Sequence, residues 1–153
     1  MDRFEVGFNV DVNDEWPPVG VEFLWLAISS NGYQVLTAPF FLKDLSVGDI
    51  LTIDLEQKGG QRFALSWSHL EKSSRSTVGV MVDEGVKIDD FLVAIEEAGG
   101  RVSHLEQFNI YCLDLPQDFD MKPIDDMEEE LGDSIEIIYP SFRIAERIGN
   151  STA

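Results

Sequence analysis

The chain has 153 residues, of which 44% are hydrophobic, and a formal net charge of -18 at pH 7. That apolar share can fill the core of one domain or two small ones and argues against disorder, whereas the charge repels nucleic acid and anionic membrane and attracts basic surfaces. The lone cysteine, Cys112, rules out an internal disulfide, and no apolar run nears the roughly 18 residues of a membrane helix.

In the first half, Phe4, Val6, Phe8, Val10 and Val12 alternate with Glu5, Gly7, Asn9 and Asp11, the period of a half-buried strand. Asn13-Asp14-Glu15-Trp16-Pro17-Pro18 breaks it. Phe23 to Ser29 reads as a second strand, Asn31-Gly32 as a two-residue hairpin turn, and Tyr33 to Ala38 as the returning strand. After Ser46-Val47-Gly48-Asp49 come Ile50 to Leu55 and, past Lys58-Gly59-Gly60, Arg62 to Leu70. Five strands at this spacing predict a small β-barrel or curled antiparallel sheet over residues 1–73.

The second half, residues 74–142, mixes periods. Val78, Val80 and Val82 alternate as a strand, whereas Ile88, Phe91, Leu92 and Ile95 recur at helical spacing before Gly99-Gly100. Arg101 to Glu106 and Asn109 to Leu115 read as strands. Met121, Ile124, Met127 and Leu131 mark a second helix with Asp120 as N-cap, Pro123 in its first turn and Gly132 at its exit, and Ile135 to Tyr139 is the last strand. The fold expected is therefore α+β, with a barrel-like half packed on a ferredoxin-like βαββαβ half. Residues 143–153 are expected to form a loose tail.

Trp16-Pro17-Pro18, Glu22, Leu24-Trp25, Tyr33, Pro39-Phe40-Phe41, Leu45 and Gly48-Asp49, continuing through Ser76-Thr77-Val78, form one spaced pattern. It resembles an uncharacterised bacterial family catalogued only as a domain of unknown function. The resemblance spans nearly the whole chain and implies a bacterial cytosolic domain, with no chemistry attached. Relatives tend to carry a His two residues before the Thr and an Arg two residues after it, where this chain has Arg75 and Gly79.

Catalytic and cofactor patterns are missing. His69 and His104 have no Cys, Asp or Glu at a metal-ligand spacing, and Cys112 lies in an apolar strand with acidic surroundings that disfavour a thiolate. Gly59-Gly60 and Gly99-Gly100 lack the spacing of a phosphate loop, and the second pair falls at the negative end of its helix. The three tryptophans have no interleaved Lys or Arg for nucleic-acid binding. The expectation is a non-enzyme without metal or cofactor.

Charge carries the functional signal. From Asp83 to Glu136, seventeen acidic side chains stand against Lys87, Arg101 and Lys122. The second helix concentrates them as Asp125, Asp126, Glu128, Glu129 and Glu130, flanked by Asp118, Asp120 and Asp133. Like charges at i and i+4 repel by about 0.2–0.5 kcal/mol each, and no lysine at i+4 is expected to offset them. These eight acids, with Trp16 in its proline-stiffened loop, are the expected partner-binding residues. The competing account of the acids is a solvated face, and of the Trp a residue tucked over the barrel end. The function that follows is a cytoplasmic binding protein for a basic protein partner, such as an immunity protein or antitoxin covering a toxin's cationic cleft. The alternative is a regulatory or accessory domain that holds a small molecule between the halves.

Overall fold

Strand periodicity in the first half becomes a barrel. The computed structural model describes residues 2–144, and two compact units divide the chain between Ser73 and Ser74. The first unit holds β1 (Arg3–Asn9), β2 (Val21–Ile28), β3 (Tyr33–Val35), β4 (Ile50–Lys58) and β5 (Gln61–Glu71). Successive strands pair antiparallel, and β1 pairs parallel with β5, Val6 opposite Arg62, to close the barrel. Parallel closure is forced by number, because in an up-and-down meander the first and fifth strands run the same way. Inside lie Val6, Phe8, Leu24, Leu26, Val35, Leu51 and Ile53, and the β3–β4 loop adds Leu42 and Leu45. On the outside, the rings of Phe23 and Phe63 close over Gly7, where a Cβ would lie 2.9 Å from Phe63.

Two turns show what the sequence specifies. At Gly59-Gly60 both residues have positive φ and Lys58 pairs with Gln61, so the glycines supply the left-handed conformation of a two-residue hairpin. At the β2–β3 turn, Ser29 and Gly32 exchange backbone hydrogen bonds, which makes Ser30-Asn31 the central pair. The turn is thus one residue earlier than expected. Gly32 is required for space, since a Cβ there would sit 2.4 Å from the Leu51 carbonyl oxygen. The first strand also stops early: Val10 donates its N–H to Gly20, and Val12 is exposed.

The second unit contains β6 (Ser76–Val82), α1 (Asp89–Glu97), β7 (Arg101–Leu105), β8 (Ile110–Leu115), α2 (Lys122–Leu131) and β9 (Ile135–Ser141). The sheet is antiparallel with order β7-β8-β6-β9, so β8 lies between the two strands that α1 connects. The molecule is therefore of the mixed α+β class. Val78, Val80, Val82, Leu113 and Leu115 face one core with Ile88 and Ile95 from the α1 region and Ile124 and Met127 from α2. α1 ends where Gly99 takes φ 104° and Gly100 donates to the Ile95 carbonyl, while Gly99 donates to Glu96. These two hydrogen bonds stop the helix while satisfying carbonyls of its last turn. Ile144 is also buried in this core, so residues 143 and 144 belong to the second unit. The rest of the expected tail, 145–153, lies outside the described residues.

Candidate functional site

Helix α2 separates its residues by chemistry. Met121, Ile124 and Met127 point into the core, the last two fully buried, because apolar residues three apart share a helix face. Asp125, Asp126, Glu128, Glu129 and Glu130 are all exposed, as are Asp118, Asp120 and Asp133 at the two ends. The helix begins one residue later than expected. Met121 occupies the cap position and Asp120 acts from upstream, its Oδ1 accepting the Lys122 N–H at 3.0 Å. The expected absence of a lysine at i+4 is also corrected, since Lys122 Nζ lies 3.0 Å from Asp126 Oδ2. That hydrogen bond, with the nearby charge of Asp126, holds the Lys122 ammonium above its usual value. Asp120 and Glu129 add smaller contributions of the same sign to that shift.

Beside them stands a side chain that sequence reasoning missed. Tyr139 of β9 is 47% exposed and meets Phe142 edge to face at 5.4 Å. Its hydroxyl titrates above the ordinary tyrosine value, first because it is partly buried and then because Glu128 and Asp125 oppose a phenolate. Tyr139 thus lies within the field of the α2 acids. Past the end of α2, a groove of about 510 Å³ is lined by Met81, Val82, Asp83, Asp133, Ile135 and Glu136. It extends the acidic surface and adds Asp83 and Glu136, which the sequence singled out only as part of the general charge.

Trp16 belongs to the other unit. Asn13 and Trp16 exchange backbone hydrogen bonds of 2.8 and 3.0 Å around Asp14 and Glu15, whose φ angles are 52° and 66°. The Trp16 ring is 43% exposed and rests edge-on against Phe41, centroids 5.8 Å apart. Phe41 is fixed in turn by Glu22: its Oε2 accepts from Phe40 N–H at 2.6 Å, and Oε1 from Phe41 and Leu42 at 3.0 and 3.1 Å. A lone acid in the apolar run of β2 was the available signal for this role.

Burial pushes the Glu22 carboxyl above its ordinary value of 4.5, against the opposite pull of the three amides. A group raised in the native state contributes stability that is fully present below the unfolded value and is lost as pH rises through the native one. The stability of wild type minus that of Glu22→Gln should therefore fall with rising pH across that window. Urea titrations of both proteins from pH 4 to 7 check this, and a rising difference would show that the amide bonds outweigh desolvation.

A second carboxylate organises the turn before β4. Asp49 is fully buried; its Oδ2 accepts from Ser46 N–H at 3.1 Å and contacts His69 Nε2 at 2.9 Å, and its Oδ1 accepts from Ser73 N–H at 2.8 Å. An acceptor-only carboxylate requires His69 to donate from Nε2. In the second unit, Arg75 Nε pairs with the buried Asp114 at 2.7 Å. Gly79 leaves no room for a side chain, because Ile138 Cγ1 would sit 2.7 Å from a Cβ. His104 stacks on Tyr111 with ring centroids 4.0 Å apart, and Cys112 is buried within β8. Among the described residues, no three His, Cys, Asp or Glu side chains are grouped to hold a metal ion, and no helix is long and apolar enough to cross a membrane.

The structure thus gathers the eight predicted acids on α2 and its flanks and places Trp16 apart from them in sequence and unit. Against known proteins, a family model described as a domain of unknown function (DUF4265) matches residues 22–138. No curated protein matches. A solved structure described as a novel crystal structure of a hypothetical protein from Neisseria gonorrhoeae is similar at a TM-score of 0.69 and 19% identity, covering 92% of this chain and 96% of that one. At that identity the likeness concerns the fold alone.

Proposed function

The chain belongs to the DUF4265 family of domains of unknown function, and from its geometry we propose that it is a cytoplasmic acidic binding protein that neutralises a basic protein partner. The observation that carries this reading is α2, whose apolar side is anchored by fully buried Ile124 and Met127 while its other side exposes five carboxylates beside the half-exposed Tyr139. A tyrosine at the margin of a charged face is the composition of an interface anchor, and the carboxylates steer approach of the opposite charge. A toxin with a cationic active-site cleft fits such a surface, because exposed carboxylates imitate the charge of phosphate, and the chain then acts as an immunity protein or antitoxin. The groove at Asp83, Asp133 and Glu136 supports a second reading, a regulatory domain that holds a small cationic ligand.

Replacing Asp126, Glu129 and Glu130 together with lysine tests the first reading. All three are exposed, so the fold is retained. With a basic partner recovered by pull-down from the native host, stopped-flow association at low salt should slow at least tenfold and lose its salt dependence, since exposed charges act chiefly on the on-rate. Association as fast as wild type would assign α2 to a solvated face.

A further inference from the structure

We propose that Trp16 is the aromatic anchor of a second contact, in the first unit, that receives an arginine or lysine side chain of a protein partner. The inference rests on the reading that the partner is basic, but on none of the α2 residues. Trp16 is held out to solvent by a turn that the backbone does not favour. Asp14 and Glu15 both occupy the left-handed region, where Asn-Gly is the usual pair and glutamate is rarely found. Both side chains carried by this exposed turn are carboxylates.

The ring is also braced. It leans on Phe41, and Phe41 sits on backbone amides clamped by the Glu22 carboxylate, so the indole loses little freedom when a ligand covers it. Charge selects the occupant. Asp11, Asp14 and Glu15 are exposed, and the sequence has no Lys, Arg or His between Arg3 and Lys43. No ion pair among the described residues engages these three acids. A guanidinium or ammonium group stacked on the open indole face and bonded to the turn carboxylates satisfies both features at once. Exposed Val12 and Pro18 offer apolar cover to the aliphatic stem of such a side chain.

The test uses a capped arginine octapeptide, with a glutamate octapeptide as control, titrated at low salt into the full chain. The Trp16 indole N–H resonance should shift saturably with the arginine peptide only. In the Asp126→Lys, Glu129→Lys, Glu130→Lys background, which removes much of the competing α2 surface, Trp16→Ala should weaken binding roughly tenfold, the scale of a partly desolvated cation–π contact. Trp16→Phe should retain most of it. Because Trp16→Ala also removes the contact with Phe41, Asp14→Asn with Glu15→Gln is the companion variant. It leaves the apolar packing alone and should reduce both affinity and salt dependence. An indole resonance that stays still while α2 amides shift overturns this proposal and leaves the α2 reading standing. The reverse pattern retains Trp16 and removes α2. Undiminished binding by the Asp14→Asn, Glu15→Gln variant overturns the choice of a basic side chain as occupant.

Discussion

Met127→Asp is expected to unfold the second unit at room temperature. Met127 is fully buried in a cluster with Val78, Val80, Leu113, Ile95 and Ile124, and no basic side chain belongs to that cluster. An aspartate there loses the packing of the thioether, about 2–5 kcal/mol for truncation of a buried Met. It also brings a carboxyl that must either remain charged without a partner or take up a proton, at a further cost of several kcal/mol. Together these approach the roughly 5–15 kcal/mol that stabilises a domain. Glu129→Lys, two residues on but exposed, should change stability by no more than about 0.5 kcal/mol, and in the favourable direction, because it relieves repulsion near the negative end of the helix. Urea denaturation followed by circular dichroism separates the two. Equal midpoints for wild type and Met127→Asp would mean that α2 is rotated from the phase described.

Asp49→Ala should have the next largest effect, on the barrel. The substitution strands the N–H groups of Ser46 and Ser73 and the Nε2 of His69 around a fully buried position, with the Ser73 and His69 bonds at its partly buried margin. Each orphaned buried donor costs about 1–3 kcal/mol, so a loss of about 3–5 kcal/mol is expected, comparable to breaking a buried charged pair. Asp49→Asn keeps one acceptor oxygen and should lose less. Thermal melts of the three proteins, with Trp67 fluorescence reporting on the barrel through its edge contact with His69, supply the measurement. If alanine melts with wild type, the carboxylate is not what fixes the Ser46–Asp49 turn.

Both effects concern elements whose legibility differed. The α2 phase could be read directly, because Met121, Ile124, Met127 and Leu131 leave one way to turn a helix against a core, and the acids then have nowhere to go but outward. Strand order was less accessible. The alternation of Phe4 to Val12 carries no information on which strand lies beside it, so parallel pairing of β1 with β5 follows from the count of strands rather than from any residue. The roles of Glu22 and Asp49 were hidden for a related reason. Apart from the Ser46 amide, their partners are backbone amides and a histidine contributed by positions about 20 residues away in sequence, and a backbone donor leaves no mark in the side-chain pattern. Asn31-Gly32 misplaced its turn by one residue because glycine there answers a close approach of Leu51, a contact that local turn chemistry does not register. In the sequence Tyr139 reads only as the end of the last strand, and its place next to Asp125 and Glu128 makes it part of the acidic face.

The parallel seam between β1 and β5 also sets an order of events at the ribosome. Val6 emerges well before its closing partner Arg62, and every strand between them must be made before that seam can form. Until then β1 has only β2, and the growing meander presents two unpaired edges, the condition under which strands of neighbouring chains associate. Closure must also meet the entropy of joining a long loop before any contact rewards it, which makes it a late step. A nascent chain that stalls inside β4 is therefore a sticky half-sheet, whereas once β5 has docked on β1 the barrel has no edge left to offer.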